Sequence, residues 1–334
     1  MMRNRRKTMK KIFVLWLVFV TAVTLTGCGG SQTDALRILV PSGSPSLILA
    51  QSMVEASQAE GMVQNIRWDV EIVNGADPLV AAFTSNSHDI IFAPTNLGAS
   101  MYNNNQHYQL AAVVVWGNNF ILAREEEGIS TISDLSGKKI IAYGRNSTPD
   151  IVLKTVLEAN GMLSTVEIEY VMDVTTAGSH LLAGLNPIAL GAEPSASKLE
   201  SSVSLTRIDL QNAWNEATQL DGIPQVGVFM RKDASNGLSV KFEAFLGVLE
   251  AEIQFLIEEP YRFAQLAVLA DKSFELLGVQ AIVRSVAHSN YRYQSALEAK
   301  VAVDGYFAVL LSGNPNLIGG GMPNDEFYRE TQNP

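Results

Sequence analysis

Cysteine is almost absent from this 334-residue chain, Cys28 being the single one. No disulfide can form within the fold, and a cysteine-ligated zinc site has no ligands. Histidine is scarce as well. His88, His107, His180 and His288 stand far apart, with no His-His or His-Glu spacing of the kind that ligates a metal. No Gly-x-Ser-x-Gly elbow frames a serine nucleophile, since Gly43-Ser44 lacks both flanks. Gly319-Gly320-Gly321 has no following lysine and no strand–helix frame, so it reads as a turn and not a phosphate loop. No repeat with a period of 20–50 residues is visible. Long hydrophobic runs are missing too: the apolar stretch from Ile12 to Val23 falls short of the roughly 20 residues a membrane span needs.

What is present at the start is an export signal. Arg3, Arg5, Arg6, Lys7, Lys10 and Lys11 form a basic opening with no acid among them. The apolar run follows, and small residues lead to Leu25-Thr26-Gly27-Cys28, the charged–apolar–small order of a secretory signal. Met9-Lys10-Lys11 supplies a complete basic region by itself, so Met9 serves as a start as well as Met1 or Met2. A cysteine directly after Leu-Thr-Gly resembles the lipobox of bacterial lipoproteins. That resemblance implies cleavage after residue 27 and a lipid on Cys28. Residues 28–35 would then be a small, polar, lipidated tether. Of 24 basic and 34 acidic residues, 18 and 34 would remain, a formal charge of −16. Such a chain does not track nucleic acid, whose affinity comes from cations on phosphates. It is also repelled by anionic lipid, which leaves the lipid on Cys28 as the membrane link.

From Leu36 short β-rich apolar runs alternate with helical stretches. The strand candidates are residues 36–41, 68–73, 89–93, 110–116, 120–123, 139–143, 167–171, 188–191, 204–208 and 226–230. Alternation of this kind predicts an α/β protein of mostly parallel sheets flanked by helices. From Leu238 the pattern turns helical. Phe242, Phe245, Leu246, Leu249, Ile253, Leu256 and Ile257 recur at spacings of three and four, the stripe of a helix lying on a core. Pro260 breaks it, a second helix runs through Phe263, Leu266, Ala267 and Ala270, and another covers residues 295–311.

Four probable helix starts place a capping or acidic residue before proline: Ser44-Pro45, Asp77-Pro78, Thr148-Pro149 and Glu193-Pro194. Three follow a predicted strand closely, and so sit where open α/β sheets bind ligands. Plain helix capping explains any one of them alone.

The run Asp134-Leu135-Ser136-Gly137-Lys138-Lys139-Ile140, followed by Asn146-Ser147-Thr148-Pro149-Asp150, resembles the beginning of the second lobe of extracellular solute-binding proteins. The subgroup is the nitrate/sulfonate/taurine and thiamine-precursor type that serves ABC importers. Asp77-Pro78-Leu79-Val80-Ala81-Ala82-Phe83 with His88-Asp89-Ile90-Ile91-Phe92-Ala93, Trp116-Gly117-Asn118-Asn119 and Glu193-Pro194-Ser195-Ala196 match further stretches of its pattern, in its order. The resemblance covers residues 36–310 and implies a two-lobed, type II periplasmic-binding-protein fold. Residues 36–116 and 228–334 would form lobe one and residues 117–227 lobe two, with hinge crossings near Gly117-Asn118-Asn119 and Gly222-Ile223-Pro224.

Carried over position by position, the resemblance implies ligand contacts at Ser44, Ser46, Thr95, Asn96, Trp116, Asn118, Asn119, Asn146, Ser147, Thr148, Thr175, Thr176 and Glu193. Trp116 either stacks on a flat ligand or packs the hinge. Hydroxyls at helix N-termini favour an oxyanion such as a sulfonate. Asp150 and Glu193, with Arg145 the one obvious cation nearby, favour a neutral, amine-bearing or heterocyclic solute such as a pyrimidine. A zwitterion such as taurine suits both. The expected function is capture of a small solute between two lobes and delivery to a membrane permease with its ATPase subunit. The protein would be a lipid-anchored monomer on the outer face of a cell membrane, with no cofactor and no metal.

Two other classes compete. A ligand-sensing or adhesive surface lipoprotein would use the same fold, and an adjacent receptor-kinase gene, in place of permease and ATPase genes, would mark it. Enzymes resembling this family make thiamine or menaquinone precursors, but the pyrimidine-forming ones carry a cysteine-rich motif missing here. The chain is therefore expected not to be an enzyme.

Overall fold

The computed structural model describes residues 35–330. The signal segment, Cys28 and nearly all of the tether lie outside them. Among the described residues no helix is long and apolar enough to cross a membrane.

The chain opens with β1 (Leu36–Pro41), α1 (Ser44–Ile48), α2 (Ala50–Gln58), β2 (Met62–Val63), β3 (Ile66–Val73), α3 (Asp77–Ser85), β4 (Ile90–Pro94), α4 (Thr95–Asn105) and β5 (Tyr108–Val115). It continues through β6 (Asn119–Arg124), β7 (Lys139–Ala142), α5 (Thr148–Ala159), β8 (Glu167–Tyr170), α6 (Val174–Ala183), β9 (Ile188–Ala192), α7 (Ser195–Leu199), β10 (Leu205–Asp209) and α8 (Leu210–Thr218). β11 (Val226–Arg231) precedes the helical part: α9 (Asn236–Glu258), α10 (Pro260–Ala270), α11 (Lys272–Leu277) and α12 (Val279–Val286). β12 (Tyr291–Ser295) and α13 (Ala296–Gly313) follow.

Two sheets result. One has seven strands in the order β12-β5-β11-β4-β1-β3-β2, and the other five in the order β10-β6-β9-β7-β8. The α/β class is as expected, and both sheets are mixed. Parallel pairing holds for β4-β1-β3 and for β9-β7-β8. β11 pairs antiparallel with both β4 and β5, and β6 pairs antiparallel with both β9 and β10. The reason lies in the route of the chain. β5 leads out of the first sheet into β6 of the second, and β11 brings the chain back, so these strands cannot all run in the direction of the βαβ units.

Strand alternation divides the core. Ile38 and Val40 face a cluster with Phe242, Phe245, Leu249, Ile253 and Leu256 of α9. Leu39 faces the opposite cluster, with Phe83, Ile91, Phe229, Phe307 and Phe327. Both faces of β1 are therefore buried from Ile38 to Val40, where the strand reads as an apolar run, while Arg37 near its start pairs with Asp89 at 3.2 Å. Phe120, Leu122, Ile141 and Ala189 build a third cluster under the five-stranded sheet with Ala177 and Leu181 of α6.

Helix ends follow local chemistry. Pro260 occupies the first turn of α10, where its missing N–H has no partner to lose. Ser295 and Glu298 form a reciprocal capping box at α13, the Glu298 carboxylate accepting from Ser295 N at 2.9 Å.

Candidate functional site

The chain passes between the sheets twice, at residues 116–118 and 219–225. The two passages are bonded to each other. Asn118 N donates to Gln225 Oε1 at 3.0 Å, Gln225 Nε2 donates to Asn118 Oδ1 at 2.8 Å, and Gln225 N donates to Val115 O at 2.9 Å. Gly117 lies between them at φ 103°, a conformation side chains rarely adopt, and its carbonyl accepts from Asn290 Nδ2 at 2.7 Å. Trp116 is 1% exposed. Its indole N–H donates to Arg292 O at 3.0 Å, and the Arg292 guanidinium lies 4.0 Å above its ring. Of its two expected roles the geometry matches packing at the crossing.

Beside this passage the first helix start of the seven-stranded sheet meets the carboxyl end of β9. The Ser44 hydroxyl donates to Glu193 O at 3.2 Å and accepts from Asn118 Nδ2 at 3.0 Å, while the same amide also donates to Glu193 O at 3.2 Å. Tyr291 OH donates to Ser44 O, and Ser289 Oγ stands 3.4 Å from Ser44 Oγ. Burial pushes the Tyr291 phenol up to about 12, against the opposing hydrogen bonds of Ser44 and Ser289, so it stays a donor at neutral pH. Asn119 points the other way along β6, donating to Tyr143 OH at 2.7 Å.

A second bridge joins α4 and α5. Thr148 Oγ1 donates to Asn96 Oδ1 at 3.0 Å, and Asn96 Nδ2 donates to Leu317 O. Both helices begin at the carboxyl side of strands, α4 after β4 and α5 after β7. Neither carries a side-chain cap on its first N–H groups. Ser147, at the capping position of α5, turns its hydroxyl back to Gly144 O, and Thr95 donates its hydroxyl to Pro224 O at 2.5 Å. Two more contacts tie the halves further out: Arg284 donates to Ser197 O and Lys198 to Leu277 O, each at 3.2 Å.

Both expected acids are consumed internally. Glu193, 4% exposed, accepts from Ser197 N and Oγ and from Arg207 at 2.7 Å; Arg207 also pairs with Glu200 and lies over the Phe120 ring. Asp150 is fully buried and accepts from Asn146 N at 2.7 Å, Lys154 Nζ at 2.9 Å and Tyr170 OH at 2.6 Å. Arg145 stacks on Tyr170 at 5.1 Å. The electrostatic character expected of Asp150 and Glu193, open negative charge, is thus replaced by neutralised pairs.

The structure brings Ser44, Asn118 and Glu193 together, and separately Asn96 with Thr148. Thr95 and Ser46 lie at the same helix starts, but the Ser46 hydroxyl closes a local turn onto Gly43 O. Asn146 is exposed in a left-handed turn. Thr175 is exposed, and Thr176 donates its N–H and hydroxyl to Asp173, the residue that caps α6; neither bonds to the other residues of the set. Gln225, Tyr291, Ser289, Tyr143 and Arg207 were not anticipated. Gln225 adjoins the expected crossing at Ile223-Pro224, which was the available signal. Tyr291 opens β12 and Ser289 precedes it, and the strand's Tyr-Arg-Tyr-Gln-Ser sequence has no aliphatic face to announce it.

Residues 67–211 match the family described as NMT1/THI5 like. No curated protein sequence matches the chain. Among solved structures, an ABC transporter protein from Parabacteroides distasonis superposes with a TM-score of 0.73 at 23% identity, over 90% of this chain and 100% of that one. The alkanesulfonate-binding protein of Xanthomonas axonopodis pv. citri, bound to MOPS, gives 0.62 at 17% identity, over 85% and 94%. The periplasmic aliphatic sulphonate binding protein of Escherichia coli gives 0.66 at 14% identity, over 84% and 87%. At these identities the likeness is one of fold.

Proposed function

From a periplasmic-binding-protein fold with an NMT1/THI5-like match across residues 67–211, we propose that this chain is the solute-binding component of an ABC importer. The observation that carries the reading is the pair of bridges, Ser44–Asn118–Glu193 and Asn96–Thr148, where two sheets joined by two bonded crossings meet at their strand ends. In this reading residues 36–116 and 226–334 form one lobe, β11 included, residues 117–225 the other, and the crossings bend. A solute between the lobes takes over the polar groups that otherwise bond across the gap. It shifts the population toward the closed form by its differential contacts with that form. The permease and its ATPase subunit then receive it, and no covalent step is involved. Ser44, Thr95, Asn96, Asn118, Ser147 and Thr148 are the leading contacts.

The solute class follows from charge. With Glu193 and Asp150 neutralised, the groups left to a ligand are hydroxyls, amides and the uncapped N-termini of α4 and α5, which carry positive partial charge. An oxyanion head of the sulfonate type fits these better than a cationic heterocycle. Cys28, outside the described residues, would carry the lipid that holds this monomeric trap at the outer face of the membrane.

Native mass spectrometry and thermal-shift measurements on the soluble form starting at Gly29 test the reading. The panel holds alkanesulfonates, taurine, nitrate, pyrimidines and amino acids. A solute at about a hundred times its dissociation constant adds roughly 2.7 kcal/mol, a shift of several degrees. A sulfonate that shifts the midpoint and is recovered unchanged supports the proposal. A panel without bound mass or shift, or a solute that is turned over, overturns it. Labelling with a radioactive fatty acid, lost in Cys28→Ala, checks the anchor.

A further inference from the structure

Both crossings are gripped by one short stretch of the C-terminal part. Asn290 Nδ2 donates to Gly117 O at 2.7 Å, and Trp116 N donates to Asn290 O at 3.1 Å. The Trp116 indole N–H donates to Arg292 O at 3.0 Å. The Arg292 side chain reaches further. Its guanidinium lies 4.0 Å above the Trp116 ring on the first crossing, and its Nη1 pairs with Asp221 Oδ2 at 3.2 Å on the second.

These two contacts stand on different sides of the hinge. Arg292 belongs to β12, which pairs with β5, and Trp116 directly follows β5, so ring and guanidinium ride on the same sheet. Asp221 follows α8 and lies on the lobe-two side of Gly222. Gly117 and Gly222 have φ 103° and 84°, backbone that side chains rarely adopt. The crossings are packed closely there. An added Cβ on Gly222 would come within 3.3 Å of Trp116 Cε3, and one on Gly117 within 2.2 Å of Gln211 Oε1 of α8. The other contacts of this region that join the halves are uncharged: Tyr306 of α13 packs edge-on against Trp214 of α8 at 5.9 Å, and Leu220 lies over Gly305.

We infer that Arg292 is a positioning residue for the hinge, holding Trp116 and Asp221, and with them both crossings, in the arrangement that keeps the lobes together. The inference rests on the two-lobed reading above. Bending at Gly117 and Gly222 carries Asp221 away with α8, so the ion pair is lost when the lobes part. The stack on Trp116 stays and keeps the guanidinium placed to re-form it. A planar guanidinium can stack on an indole and still donate from its edge, whereas an ammonium has no flat face to stack. The pair is open to solvent, its side chains 38% and 79% exposed, so it biases the equilibrium and does not lock it.

Spin-label distance measurements test this. The full chain in neutral detergent, with Cys28→Ala to remove the native thiol, carries nitroxides at Thr84→Cys in lobe one and Glu158→Cys in lobe two, both exposed positions. Without solute a major short distance and a minor long one are expected. Arg292→Gln and Asp221→Asn should each raise the ratio of long to short about two- to fivefold. In the Arg292→Gln background Asp221→Asn should add nothing. Arg292→Lys, which keeps the pair, should fall between. Raising salt from about 0.1 to 1 M should raise the ratio in the labelled, otherwise unaltered chain and leave Asp221→Asn unmoved. Two distances whose ratio ignores Arg292→Gln, or an Asp221→Asn effect equal in both backgrounds, would overturn this inference alone. A single distance in every variant would overturn it together with the two-lobed reading. A role in stability alone would lower the melting midpoint of Arg292→Gln without moving the ratio, and that result overturns it too.

Discussion

Glu193 and Glu252 are both buried glutamates, yet their neighbours give them opposite behaviour. Glu193 has Arg207 at 2.7 Å and two donors from Ser197, so its charge is matched in place. Removing Arg207 would strand it, and stranding a buried charge costs about 3–5 kcal/mol. Arg207→Ala should therefore lower the urea midpoint sharply, while Glu193→Gln, which leaves nothing uncompensated inside, should lower it much less. Equal losses in the two variants would contradict the pairing. Among the described residues no cation pairs with Glu252, and burial raises its folded pKa to about 8, above the ordinary glutamate value of 4.5. The folded state then holds a proton the unfolded state has released. The associated stability is complete below about pH 4.5 and falls by up to about 1.4 kcal/mol per unit as pH rises toward 8. Denaturant unfolding from pH 5 to 8 should show this slope in the unaltered chain and a correspondingly flatter one in Glu252→Gln.

At the scale of elements, α4 shows how packing positions the helix start that carries Thr95 and Asn96. Gly98 lies on the face of α4 against β11, where an added Cβ would come within 2.0 Å of the Phe229 ring. Phe229 is fully buried and packed edge-on against Phe83, so the ring cannot yield. Gly98→Ala should cost about 1–3 kcal/mol by overpacking. It should also weaken solute binding by pushing Thr95 and Asn96 off their positions, read from the denaturation midpoint and the solute dissociation constant together. The cap of α13 is a simpler case. Ser295→Ala removes one half of a reciprocal box and should cost about 1 kcal/mol with no change in solute affinity.

The whole molecule depends on contacts no single element contains. Asn96 and Thr148 meet across 52 residues of sequence and Ser44 and Glu193 across 149. These bonds join the two sheets across the gap between them. Replacing both Asn96 and Thr148 by alanine should shift the unliganded population toward open forms. Small-angle scattering should then give a larger radius of gyration than the unaltered chain, and a solute should restore less of the difference. An unchanged radius would mean that the outer contacts of Arg284 and Lys198 hold the halves together without this bridge.

Much of the architecture was legible in residue order. β1 was read with its observed limits. β4, β6, β7, β9 and β11 were placed within a residue or two, because buried strands are dense in apolar residues and are bounded by turn residues, and the edge strands β8 and β10, which are only half-buried, were placed as closely. The stripe from Phe242 to Leu256 and the break at Pro260 marked α9 and α10, since helical period is a local property. β2 is only two residues long, and β12 is polar and formed at a sheet edge, so neither carried a pattern to read.

The sequence by itself determined the α/β class, the order of elements and the residues at the helix starts, because propensity, periodicity and capping act over a few neighbouring residues. Tertiary structure alone decided that the sheets are mixed, that Trp116 packs under Arg292, that Glu193 meets Arg207 across the turn to β10, and that Glu252 is buried against Ser52, whereas Asp150 is matched within its own helix by Lys154. Trp116 and Arg292 lie 176 residues apart and Ser52 and Glu252 lie 200 apart, whereas Arg207 is only 14 residues from Glu193. Whether a charge is matched or stranded is set by which distant side chain folding brings within about 3 Å.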